Sequence, residues 1–209
     1  MRTSLLVGLA IVGVLGAGTV AASTVESFKT KANGLEAIFA IGDFCQAAFT
    51  KVNYAAAVLK FNGEKEIQQP LIFLEIDYIN NCTGDHFILT GVSSDVEGKI
   101  LGDLKGATLV ANVPVADETG TLNTTFSVNL SFEGDGPLAA VSDKTKSKEG
   151  NVVMKSNFTF QSRPAEVTGT IVGALPPGSN QTVQLTQGPS FSGSIGSSRT
   201  GDITITKKH

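Results

Sequence analysis

The segment NTTFSVNLSFEGDG, residues 123–136, decides the fold class of this chain. Apolar and polar residues alternate over the eight positions from Thr125 to Phe132, with Phe126, Val128, Leu130 and Phe132 set against Thr125, Ser127, Asn129 and Ser131. Successive side chains of a strand point to opposite faces. A period of two held this long therefore predicts an antiparallel strand that buries its four apolar side chains.

The same period recurs along the chain. PLIFLEIDYI (70–79) directs its even-numbered apolar residues inward, and KGATLVANVPVAD (105–117) does the same with Leu109, Ala111 and Val113. VVMKSNFTFQS (152–162) predicts another buried face, formed by Val152, Met154, Phe158 and Phe160. Turn sequences separate the runs: FNGE, CTGD, DETGT, EGDGP and SKEGN. Together they predict an all-β fold, an antiparallel β-sandwich of roughly 8–11 strands.

The chain divides into four predicted segments. Residues 1–22, MRTSLLVGLAIVGVLGAGTVAA, place one Arg before an uncharged apolar run and end in small residues. This order predicts a secretory signal peptide cleaved after Ala22, with a retained anchor or a buried helix as alternatives. A linker (23–33) and the sandwich domain (34–175) follow. Residues 176–209, rich in Gly, Ser and Thr, predict a flexible tail or closing edge strands.

Composition limits the classes of partner. The chain has 16 Lys and Arg against 19 Asp and Glu, a formal net charge of −3. This balance gives no electrostatic reason to expect nucleic acid or an anionic membrane as a partner. Two cysteines, Cys45 and Cys82, are an even count in a chain expected to be secreted. We expect them to form a disulfide, with buried free thiols as the alternative.

One strand carries a possible catalytic motif. EIDYIN (75–80) resembles part of the E-[IL]-D-x-x-E strand of the laminarinase-type β-glucanases, which are secreted β-sandwich enzymes. The resemblance implies a nucleophile at Glu75 and an assisting carboxylate at Asp77. Asn80, however, stands where that family has its acid/base Glu, and an amide cannot protonate a leaving oxygen. The chain also has no Trp to line a sugar cleft. We therefore expect a solvated outer face at this position.

Other catalytic or metal sites find little support. The two histidines, His86 and His209, are accompanied by no G-x-S-x-G elbow, and no His/Cys cluster predicts zinc. Two acidic loops could supply oxygen ligands to calcium, although neither has EF-hand spacing: Asp95, Glu97 and Asp103 in one, Asp117 and Glu118 in the other. We expect no cofactor.

Most of the chain, about residues 34–173, resembles a loosely defined family of uncharacterised secreted bacterial proteins. The resemblance is carried by short segments: GDFCQAAF, DYINNCTGDHF, ATLVANVPVAD, FSVNLSFEGDGPL and RPAEVTGTIVG. Phe132 stands where the family usually has Trp. The resemblance implies a β-sandwich and a disulfide, and it implies no activity.

These observations favour a secreted, non-catalytic extracellular module that is structural or binds a surface, a glycan or a protein. The expected partner is an extracellular protein or glycan, with no nucleic acid and, after signal cleavage, no membrane. The alternative is a glycoside hydrolase that acts on β-glucans through Glu75 and Asp77.

Overall fold

The computed structural model describes residues 25–175, 182–185 and 191–207. Within these ranges the chain forms twelve strands: β1 Val25–Gly42, β2 Gln46–Phe61, β3 Glu64–Ile67, β4 Leu71–Asn80, β5 Asp85–Ser93, β6 Val96–Ile100, β7 Gly106–Ala116, β8 Asn123–Gly134, β9 Ala139–Glu149, β10 Val152–Ala174, β11 Thr182–Gln184 and β12 Phe191–Lys207. A 3-10 turn, Gly102–Leu104, joins β6 to β7. No helix in the described ranges is long and apolar enough to span a membrane.

The strands form one antiparallel sheet that closes on itself. Its path runs β1-β12-β10-β8-β7-β5-β4-β2, and β2 pairs again with β1. The weakest junction is between β5 and β7, where Thr90 and Ala116 form the register pair. Gly91 permits this approach, because a Cβ there would lie 2.0 Å from the carbonyl oxygen of Pro114. β3, β6, β9 and β11 pair alongside this path.

The sequence prediction of an all-β antiparallel fold is confirmed. The structure differs from the predicted sandwich in detail, because it has twelve strands and one continuous hydrogen-bonded path. The strand that decided the fold class behaves as predicted: the four apolar residues of β8 from Phe126 to Phe132 are all at most 2% exposed. The inward residues of β4 and β7 are equally buried, so one core fills the closed sheet.

The predicted buried face of β10 is wrong. Phe158 and Met154 are each 40% exposed, Val152 is 36% exposed, and Phe160 is only partly buried. Neither face of this first part of β10 is covered, and only from Ala165 onward do the odd-numbered residues point into the core, as Ala165, Val167 and Ile171 show. A period of two defines two faces of a strand, and the pairing partners decide which face is covered.

Two predicted boundaries also change. Residues 25–33, predicted as linker, belong to β1 and pair with both β2 and β12. In the predicted tail, β12 is a strand but not an edge, since it lies between β1 and β10. The predicted signal peptide (1–22), the first two residues of the predicted linker (23–24) and residues 176–181, 186–190 and 208–209 lie outside the described residues.

Six strand segments continue beyond the closed part of the sheet as a ribbon. In spatial order these are β3, the end of β2 (56–61), the start of β1 (25–33), the end of β12 (196–207), the start of β10 (152–163) and β9. Every residue of β9 is exposed, so this edge of the ribbon has solvent on both faces. These six segments together form the ribbon.

Thr50 introduces an unsatisfied polar group into the core. It is fully buried between its register partners Phe39 and Ile76, and its hydroxyl has no hydrogen-bond partner among the described residues. An unpaired buried hydroxyl costs roughly 1–3 kcal/mol. Thr50→Val should therefore raise the free energy of unfolding by about 1–2 kcal/mol in a urea titration.

Thr90→Val is the matched control, because Thr90 is exposed on β5. We expect that change to stay within about 0.5 kcal/mol of the wild type. A Thr50→Val protein that is no more stable than the control would mean that the hydroxyl is satisfied.

Candidate functional site

β4 places the two carboxylates of the EIDYIN segment on its outer face. Its register with β2 and β5 runs without a shift, so Glu75 and Asp77 share one side of the sheet. Glu75 lies between Lys51 of β2 and Thr90 of β5. Lys51 supplies a positive charge beside Glu75, while the pairing partners of Asp77 are apolar.

Asp77 has one polar partner on this face, His86. Their side chains meet at 2.9 Å between Oδ1 and Nε2, with side chains 39% and 56% exposed respectively. The contact is an ion pair only when the imidazole is protonated, and exposed pairs of this kind stabilise a fold little. Sequence reasoning treated His86 as an isolated residue, whereas the tight β4–β5 turn brings it diagonally across from Asp77.

A third carboxylate, Glu36 of β1, lies near the same lysine. Burial raises the pKa of the Glu36 carboxyl, and the positive charge of Lys51 lowers it in part. Lys51 therefore interacts electrostatically with Glu36 and also lies beside Glu75. This arrangement is typical of a mixed-charge outer face of a sheet.

Asn80 does not face the two carboxylates. In a regular strand a residue three positions after Asp77 points to the opposite side. Its side-chain oxygen accepts hydrogen bonds from the backbone N–H groups of Cys82 and Thr83, at 3.0 and 3.2 Å. The amide nitrogen lies 3.5 Å from the Tyr78 hydroxyl. Asn80 thus orders the turn after β4, and even a Glu at this position would be directed away from Glu75.

The predicted disulfide is confirmed. Cys45 and Cys82 are bonded, with their Cα atoms 5.1 Å apart. The bond ties the β1–β2 loop to the β4–β5 turn, and the N–H of Asn81 also donates to the carbonyl of Cys45. Backbone N–H groups of Gln46 and Cys45 donate to the Asp43 carboxylate, and these bonds hold its pKa below its ordinary value. This end of the molecule is therefore held by both covalent and polar contacts.

The first candidate calcium loop does not bring its carboxylates together. The side chain of Asp103 pairs with Lys105 at 3.0 Å. Asp95 accepts a 3.4 Å hydrogen bond from the Asn112 amide, and Glu97 stands exposed on β6. The three carboxylates therefore have separate neighbours and do not form one site.

The second candidate loop uses its carboxylate internally. The Thr119 hydroxyl donates to Asp117 at 2.7 Å and is the main cause that lowers the pKa of this carboxyl, against partial desolvation. The N–H of Leu122 donates to the same carboxylate at 3.0 Å. Glu118 is exposed beside it. Across the described ranges, no group of three or more His, Cys, Asp or Glu side chains could hold a metal ion.

An apolar cavity lies inside the disulfide end of the molecule. Its volume is ≈ 40 Å³, and its lining includes Ile41, Ala48, Tyr78 and Leu175. Sites for small ligands are usually about 300–1,000 Å³, with a few polar groups that orient the ligand. Because exposed Gln46 and Ala47 also line it, the cavity is partly open to solvent, and it is too small to hold such a ligand.

No family model, no curated protein and no solved structure matches the chain.

Proposed function

We propose that the protein is a secreted, non-catalytic extracellular module that binds an extracellular glycan or protein. The position of Asn80 carries the proposal, because the glucanase motif needs its acid/base carboxylate at this position and on the side of Glu75 and Asp77. Asn80 is an amide, it points to the opposite side, and its hydrogen bonds order a turn. The exposed Asp77–His86 pair supports an open, solvated face.

The secreted location rests on two supports. Residues 1–22 have the order of a signal peptide, and the Cys45–Cys82 disulfide is typical of oxidising compartments. A structural role without a partner is compatible with the same features. We favour binding because the ribbon presents exposed sheet surface, most fully along β9, where both faces are in solvent.

A second candidate function is hydrolysis of β-glucans. One observation favours it: Glu75 and Asp77 do share a face, with Lys51 beside the first and His86 beside the second. In that case Glu75 would be the nucleophile and Asp77 its assistant. His86 would then be the nearest group able to donate a proton.

The two functions separate in a turnover assay. The purified protein is incubated with soluble β-glucans alongside Glu75→Gln and Asp77→Asn, and reducing ends are counted. We expect no turnover from any of the three proteins. Glu97→Gln, an exposed carboxylate on β6, is the matched control for loss of one charge.

Turnover that is present in the wild type and in Glu97→Gln but absent in Glu75→Gln would contradict the proposal. A retaining enzyme loses nearly all of its turnover without its nucleophile, because no other group can form the covalent intermediate.

A further inference from the structure

The ribbon separates its charges by face. Directly paired residues of antiparallel strands project to the same side, so the register assigns each side chain to a face. One side, which we call the cationic face, carries Lys29, Lys31, Lys60, Lys65, Lys144, Lys146, Lys148, Lys155, Arg163 and Arg199. The carboxylates whose side chains the structure describes in the ribbon lie on the other side: Glu26, Glu64, Glu66, Asp143 and Glu149. The net charge of −3 conceals this separation.

Several of these cations stand directly opposite one another. Lys146 is paired with Lys155, and Lys60 is paired with Lys65. Like charges at directly opposed positions destabilise a sheet. In the part of the chain that the structure describes, no carboxylate forms an ion pair with Lys146 or Lys155. Bound negative charge would relieve this repulsion.

The surface is extended and open. The strands lie about 4.8 Å apart, so the six segments span roughly 24 Å from β3 to β9. At the β9–β10 edge an open depression of ≈ 250 Å³ is lined by Lys144, Lys146, Lys155 and Asn157 of the cationic face, and also by Thr145 and Ser156, whose side chains lie on the other face. An open surface with several separated positive charges can bind a polymer that carries repeated anionic groups, because several contacts then form at once.

Arg163 marks the inner end of the cationic face, where the ribbon meets the closed sheet. Its Nε is buried without a hydrogen-bond partner among the described residues. Gly134 makes room for the side chain, since a Cβ there would lie 2.6 Å from Arg163 Cδ. An unpaired buried donor is costly, so an acceptor at this end of the cationic face would lower that cost.

The neighbours of the lysines indicate which polyanion fits. Asn157, Thr159 and Gln161 lie on the cationic face among the charges, and their side chains can bind hydroxyl groups. The aromatic side chains of the ribbon, such as Phe61 and Phe158, lie on the other face. Among the ribbon side chains that the structure describes, the cationic face thus has no aromatic surface on which nucleic-acid bases could stack. Three apolar side chains also lie on this face: the neighbouring Val58 and Ile67, and Val153 beside Lys148.

We propose that the cationic face of the ribbon binds an anionic polysaccharide, one that carries carboxylate or sulfate groups. This inference rests on the proposed binding function and names its ligand class. Lysine ammonium groups supply the attraction, and the amide and hydroxyl side chains contact the sugar hydroxyls. Because the charges are exposed, the affinity falls as salt rises.

Binding of dextran sulfate and of polygalacturonate to the full mature protein tests the proposal, with uncharged dextran as the neutral polymer. We expect binding to both charged polymers at about 0.1 M salt, loss of binding near 1 M salt, and none to dextran. Lys144→Gln/Lys146→Gln should weaken binding about five- to thirtyfold.

Lys99→Glu is the matched control, since it changes the net charge by the same amount but lies on β6 outside the ribbon. We expect less than a twofold change from it. Because all three lysines are exposed, both variants should keep the melting temperature of the wild type. An unchanged melting temperature confirms that the variants fold.

Equal losses in the two variants, or no binding by the wild type, would overturn the proposal. So would tighter binding to duplex DNA or to phosphatidylglycerol vesicles that the same double substitution abolishes. These outcomes leave the β-glucan assay untouched, whereas turnover lost in Glu75→Gln would remove the proposed function without involving the cationic face.

Discussion

Replacing Phe132 by alanine should lower the free energy of unfolding by roughly 3–5 kcal/mol. Phe132 is 2% exposed in β8, paired with Ala107 on one side and Val167 on the other, both buried. The substitution removes the transfer free energy of a whole aromatic ring and leaves a cavity in a closely packed interior. Urea denaturation monitored by circular dichroism measures the change.

Phe158→Ala is the matched control, because it removes the same ring from a residue that is 40% exposed on β10. We expect it to lower stability by about 1–2 kcal/mol, clearly less than Phe132→Ala, since much of the Phe158 ring stays in water in the folded protein. Equal losses in the two variants would contradict the assignment of the faces of β10.

Removing the disulfide should have an effect of similar size. Cys45 and Cys82 are 37 residues apart in sequence, and the chain-entropy model gives about 4 kcal/mol for a loop of this length. The double variant Cys45→Ser/Cys82→Ser should therefore unfold at a lower urea concentration than the wild type. Reduction of the wild type with a thiol should reproduce the same loss.

Phe44→Ala is the control for disturbance of this loop, because Phe44 is 94% exposed between the end of β1 and Cys45. We expect no measurable loss from it. Wild-type stability in the double serine variant would show that the cross-link does not constrain the unfolded chain.

The sequence predicts best those strands that have one face in the core. β8 and β4 alternate cleanly because each buries a single face, and their inward residues are assigned correctly. The disulfide was predictable as well, since its two cysteines lie at the adjacent ends of neighbouring strands. In these segments the local pattern and the tertiary structure impose the same requirement.

The ribbon escaped prediction for a physical reason. Both faces of β9 are in water, so nothing in AAVSDKTKSKE separates an inner from an outer side by hydrophobicity. Residues 25–33 belong to β1 because β2 and β12 pair with them, and such long-range pairing leaves no local signal. β12 itself is poor in apolar residues and is held by neighbours on both sides.

The candidate sites were partly visible in the sequence. A spacing of two places Glu75 and Asp77 on one face, and the structure agrees. The turn role of Asn80 and the contact of His86 with Asp77 depend on the β4–β5 hairpin geometry. The cationic face was present as alternating lysines in KTKSK (144–148) and KTK (29–31). The net charge did not reveal the cationic face, because a sum of charges over the chain does not record which face each charge occupies.

The central claim is that this protein binds a polysaccharide without turning it over. Titration calorimetry with dextran sulfate and with laminarin, a soluble β-glucan, tests it most directly, because binding releases heat that saturates and turnover releases heat continuously. We predict saturating heats with dextran sulfate that vanish near 1 M salt, and no sustained heat flow with laminarin. Sustained heat flow with laminarin that is lost in Glu75→Gln would contradict the account.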